Sequence, residues 1–182
     1  MRSQQTLYPV IELKQVIENT SWVDGTSFKT NINLLEFFVD GSLPLAWCDY
    51  FRPAVNIPLF SERMKECLAS LGVDNIDYYD ANVTNTQSGE SRRYYAANII
   101  GQVPGMDAEK SEYELFDEDS YLAEDIQKLV FDESKFSNIK LCRLAEYDLL
   151  LIAHQDLKTA LESKNAVGVA FIEPELWDGF AT

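Results

Sequence analysis

Histidine is almost missing from this chain: His154 is the only one in 182 residues. A Ser–His or Cys–His catalytic pair would have to be built on that single side chain. Cysteine is scarce as well. Cys48, Cys67 and Cys142 are odd in number and far apart. That argues against a disulfide framework and predicts a reducing, cytoplasmic setting. No CxxC pair supplies the four N/S ligands of a structural zinc site. Six prolines and eight glycines are too few for a collagen-like or disordered chain. Long apolar runs are missing too. The longest uncharged stretch, Tyr94 to Met106, contains Asn98, Gly101, Gln102, Pro104 and Gly105. It falls short of the about 20 mostly apolar residues a membrane span needs. Met1 to Val10 carries Arg2 and no apolar core, which predicts no secretory signal. Basic charge is the last deficit. Fifteen Lys and Arg face thirty Asp and Glu, a net charge of −15. Nucleic acid and anionic membranes are therefore not expected partners, whereas a basic partner is.

What is present is 46% apolar residues and a length that suits one domain or two very small ones. Leu7–Leu13, Ile32–Val39 and Leu43–Phe51 read as short strands, punctuated by Asp24-Gly25 and Asp40-Gly41 turns. Ser61 to Leu71 reads as a helix. Ser61 caps it, Met64, Cys67, Leu68 and Leu71 form one apolar stripe, and Gly72 ends it. Ile76–Val83 and Arg93–Ile100 flank a polar turn and predict a hairpin. Lys140–Leu144 and Leu149–Ala153 predict two more strands, His154–Ser163 a second helix, and Val167–Ile172 a buried strand. Asp117 to Val130 is open between helix and loop plus strand. Met64, Leu68, Ile76 and Tyr78 recur 93 residues later as Leu157, Leu161, Val169 and Phe171. The expected fold is α+β, with mostly antiparallel sheets and two short amphipathic helices in helix–strand units. A β-rich segment, residues 1–56, precedes an α+β region, residues 57–182. The latter is one compact unit or two tightly packed subdomains.

Motifs for chemistry are missing. No GxSxG, P-loop, GxGxxG or HExxH string occurs. Asp107, Glu109, Ser111 and Glu118 fit part of an EF-hand count. Glu112, however, stands where that loop needs glycine. His154 precedes a helix and reads as a structural cap, while Cys67 and Cys142 read as core residues. Neither a metal nor a cofactor is expected. Thirty carboxylates offer many possible acid–base pairs and single out none.

Charge is concentrated late in the chain. Residues 1–106 hold 12 acidic and 8 basic residues, and residues 107–182 hold 18 and 7. Asp107 to Asp125 packs nine carboxylates against Lys110 alone. Tyr113, Leu115, Phe116, Tyr121 and Leu122 interrupt them, so this is not a purely solvating tail. An ordered surface segment or long loop, anchored by its aromatics, is expected. Such a surface can be a solvated face. It can also imitate a phosphate array and fill a basic cleft.

Four stretches carry a family resemblance: IPLFSERMKECLASLGVDNIDYY, YYAANIIGQVPGMDAEKSEYE, LCRLAEYDLLLIAHQDLKTAL and the closing GVAF. Over residues 57–171 the chain resembles a bacterial family of immunity proteins from polymorphic-toxin systems. The family usually has Phe-Arg at Cys142-Arg143, so Arg143 matches and Cys142 departs. It often has Ser near Ala153-His154. The resemblance implies a non-catalytic inhibitor that forms a heterodimer with a cognate toxin and protects against toxin delivered by neighbouring cells. Ser61, Asp107, Ser111 and Arg143 are its motif positions, expected to be structural. Combined with the charge, it points to a nuclease toxin with a basic surface. Asp117, Glu118, Asp119, Glu124 and Asp125 would neutralise that surface while Phe116 and Tyr121 dock beside them. The alternatives are a small carboxylate-dependent enzyme and an acidic binding module for another basic protein.

Overall fold

Strict alternation in Leu35–Val39 (β2) puts Leu35, Phe37 and Val39 on one face, all fully buried. That face organises the first core. A computed structural model of the chain describes residues 11–15, 17–18, 20–39, 47–53, 55–117 and 120–177. Around β2 lies a six-stranded sheet in the order β1-β2-β5-β6-β4-β3. The other strands are β1 (Ile11–Leu13), β3 (Tyr50–Phe51), β4 (Leu59–Phe60), β5 (Ile76–Asn85) and β6 (Ser91–Ile99). Only the β2–β5 pairing is parallel in this sheet. Strands from both sides of residue 56 therefore share one sheet. Of the expected strand Leu7–Leu13, only Ile11–Leu13 falls within the described residues. Leu43–Ala46 of the third expected strand also lies outside them.

The helix α1 (Glu62–Ser70) sits as its local signals require. Ser61 Oγ accepts from Met64 N at 3.1 Å, and Met64, Cys67 and Leu68 are buried. Gly72, at φ +76°, closes it and lets Val73 N reach Leu68 O at 3.1 Å. The second helix, α2 (Gln155–Ser163), repeats this device 93 residues on. His154 Nδ1 accepts from Asp156 N, and Asn165, at φ +51°, lets Ala166 N reach Leu161 O at 3.0 Å. The recurrence has a packing counterpart. Met64, Leu68, Leu157 and Leu161 meet in one core with Ile76, Tyr78, Val169 and Phe171.

A second sheet, ordered β11-β10-β7, comprises β7 (Gln102–Val103), β10 (Leu141–Leu144) and β11 (Leu151–Ala153). β7 and β10 run parallel, so the chain must cross over between them. That crossover carries a two-stranded ribbon, β8 (Glu112–Leu115) and β9 (Ala123–Lys128). The architecture is α+β with mostly antiparallel pairing.

One expected strand is corrected. Val167–Ile172 forms no ladder and is not a buried strand; Val167 is 46% exposed. The segment is an extended strap over β3, where Asp49 N and Tyr50 N both donate to Val167 O. Gly168 explains the break. Its φ is +85°, and a Cβ there would lie 2.5 Å from Tyr50 O. A regular strand tolerates neither.

Candidate functional site

The acidic segment becomes the β8–β9 ribbon, whose inner side is apolar. Ala123, Ile126 and Leu129 are buried with Met106, Leu144 and Trp177, and Tyr113 packs against them. Its base is closed by polar contacts. Ser111 Oγ donates to Val130 O and accepts from Val130 N. Asp107 Oδ1 accepts from Glu109 N and Lys110 N, and Lys110 Nζ pairs with Oδ2 at 2.6 Å. The Lys110 hydrogen bond holds the Asp107 carboxyl below the usual range. Glu146 ties the base to the turn after β10, accepting from Gly105 N and Met106 N.

The far end is different. Phe116 is 65% exposed and Tyr121 67%, with Leu115 exposed beside them. Tyr113 is thus the aromatic that anchors the ribbon, and Phe116 and Tyr121 are not, contrary to the sequence expectation. Glu124 and Asp125 are exposed on β9. Asp117 follows Phe116 at the turn, where its carbonyl accepts from Ser120 N. Glu118 and Asp119 lie outside the described residues.

Two further carboxylates belong to this surface. Glu112 and Glu114 alternate with Tyr113 and Leu115 along β8, and Glu114 stands directly opposite Asp125. Like charges facing across a ladder destabilise it. The period-two pattern EYEL is the signal for this strand; its charge density conceals it. Lys128, 4.0 Å from Glu112, is the cation on the opposing strand.

The remaining motif positions lie in the body. Ser61 donates to Asp49 Oδ1 at 2.8 Å, next to Arg63 Nε at 3.0 Å, and Val167 N donates to Oδ2 at 2.8 Å. Burial alone would raise the Asp49 carboxyl. The hydrogen bonds from Arg63, Val167 and Ser61 outweigh it and hold the group below its ordinary value. Arg143 is 2% exposed in β10, and its Nη1 donates to Asp148 O at 2.7 Å. Cys142 is also buried, which pushes its thiol up to about 11. His154 caps α2. Among the described residues, no group of three or more His, Cys, Asp or Glu could hold a metal ion.

The family model of the Imm11 immunity protein family matches residues 35–175, most of the chain. The chain belongs to the Imm11 immunity protein family. The match begins at Leu35, the first residue of β2, so it takes in strands that the resemblance over residues 57–171 left out. It also includes the whole ribbon and both helices. A search of curated proteins returned no match. An Imm11 protein is an immunity protein, which binds a cognate toxin.

Proposed function

We propose that this Imm11 protein is a cytoplasmic, non-catalytic inhibitor that seats its β8–β9 ribbon on the basic active cleft of a nuclease toxin, forming a heterodimer. The toxin is of the kind that neighbouring cells deliver by contact-dependent secretion. One observation carries the reading: a ribbon rich in carboxylates, with few opposing cations, beside two aromatic rings that are two-thirds exposed. The charge supplies encounter rate and register, because a negative patch steers a basic partner towards it. The rings supply affinity, because aromatic side chains dominate interface energetics once water is excluded around them. The Glu114–Asp125 repulsion supports the same reading, since a partner's Lys or Arg would relieve it on binding.

The test is the triple variant Asp117→Lys, Glu124→Lys, Asp125→Lys, titrated against the cognate toxin in stopped flow. Association should slow at least tenfold at low salt and lose most of its salt dependence, while the circular dichroism spectrum stays that of the parent. Unchanged association kinetics would contradict the proposal and move the contact to another face.

A further inference from the structure

A strand with no neighbour on one side leaves backbone N–H and C=O groups for another chain to pair with, and folded proteins cover or blunt such edges. This chain does so elsewhere. At β3, an edge of the six-stranded sheet, the strap covers the backbone, with Val167 O accepting from Asp49 N and Tyr50 N. The outer side of β9 begins against the turn after β10, where Ala123 N donates to Glu146 O at 2.7 Å. The outer side of β8 is different. Among the described residues, β9 is its only strand partner.

Irregular geometry does not protect β8 either. The ribbon has two register shifts, between Glu112 and Tyr113 and between Glu114 and Leu115. At each, the partner position on β9 moves by two residues, from Lys128 to Ile126 and from Asp125 to Ala123. The extra residues, Gln127 and Glu124, therefore belong to β9, and β8 runs regularly. Every second residue of a regular edge strand turns its N–H and C=O outward. Its side chains alternate as well. Tyr113 packs on the ribbon's core and Leu115, on the same face, is exposed. Glu112 and Glu114 occupy the other face, in solvent.

Those carboxylates decide what can pair. A second copy would bring its own Glu112 and Glu114 to the edge, and like charges on adjacent strands repel. A strand with cations at alternate positions sets one beside each carboxylate. Glu114, which faces Asp125 across the ribbon, gains most from such a neighbour. The residues between the cations would run along the face of Tyr113 and Leu115, so apolar ones fit there. We propose that β8 takes an added strand of the pattern Lys/Arg–apolar–Lys/Arg–apolar, held by main-chain hydrogen bonds as well as by charge. The assignment rests on the ribbon as the toxin contact and adds how the toxin is held, through an extended cationic segment of its chain.

Peptides titrated into the full, isotope-labelled chain and followed by NMR test it. Acetyl-Lys-Val-Lys-Val-Lys-amide should give saturable amide shifts centred on β8, residues 112–115, and slow their hydrogen exchange. Its block isomer, acetyl-Lys-Lys-Lys-Val-Val-amide, has the same charge and should bind about fivefold more weakly. N-methylation of the central amides of the alternating peptide keeps the charge and removes donors; binding should weaken about tenfold. Glu114→Lys should loosen the unmethylated alternating peptide about fivefold. Equal shifts with all three peptides would reduce the contact to charge attraction and overturn strand addition, as would the absence of saturable shifts at β8. Sedimentation of the free chain should give a monomer. A dimer that protects β8 would assign the edge to a second copy and overturn the proposal too. None of these readouts uses the toxin, so failure with the peptides strikes strand addition alone, and the triple variant judges the ribbon contact separately.

Discussion

The six-stranded sheet and its turns set several carboxylates against cations, whereas on the β8–β9 ribbon carboxylate also faces carboxylate. On the sheet and its turns, Arg93 meets Asp80 at 2.7 Å, Arg92 meets Glu90 at 2.9 Å, and Lys14 meets Glu36 at 3.2 Å. On the ribbon, Glu114 faces Asp125, and Glu124 lies next in sequence. The contrast extends to apolar groups. Residues Tyr94 to Ile99 of β6 are all buried, while Leu115, Phe116 and Tyr121 of the ribbon are exposed. Exposed ion pairs add little stability, so the sheet's pairing matters mainly because it leaves no single-sign field. The ribbon keeps that field and places aromatic surface within it. On the function proposed above, one region is organised for folding and the other for meeting the toxin.

This division can be broken by mutation. Phe37→Ala removes a fully buried ring from the sheet core and should cost roughly 3–5 kcal/mol in urea unfolding. Toxin binding by the fraction still folded should be unchanged. Phe116→Ala with Tyr121→Ala should do the opposite. Affinity for the toxin should fall by roughly 2–4 kcal/mol, with the melting temperature of the free protein unmoved. Loss of stability in that double variant would show that the ribbon end belongs to the core.

Asp49→Ala leaves Ser61, Arg63 and Val167 without their acceptor and should destabilise by roughly 1–3 kcal/mol at pH 7. The Asp49 carboxyl is held below its unfolded value of about 3.9. Its stabilisation is therefore complete above that pH and disappears as pH falls through the lower folded value. Urea unfolding of parent and variant should converge as the pH is lowered below 4. The smallest effect sharpens the comparison most. Glu114→Lys converts a facing like-charge pair into an opposite one. It should stabilise the free protein by roughly 0.2–1 kcal/mol while slowing toxin association.

Local chemistry makes part of this architecture readable in advance. The Ser61 cap, the Met64–Cys67–Leu68 stripe and Gly72 act within one helix, so a short window contains all the residues involved. His154 as a cap and the Ile76–Ile99 hairpin are readable for the same reason. The strap is misleading because VGVAFI has a strand's composition, and only the left-handed φ of Gly168 against the Tyr50 backbone reveals otherwise. β8 hides because half of its four residues are carboxylates. Arg143 is visible as a motif position, but its burial and its bond to Asp148 O exist only once β10 and the Asp148 turn are brought together. The parallel β2–β5 and β7–β10 pairings are long-range, and no local pattern announces them.

Amide hydrogen exchange of the chain, alone and bound to its cognate toxin, is the measurement that bears most directly on the ribbon as the toxin-binding surface. The expected result is slowed exchange over residues 112–128, with Phe116 and its neighbours protected most, and the sheet core unchanged. Protection confined to the six-stranded sheet or to the helices, with the ribbon exchanging as in the free protein, would contradict it.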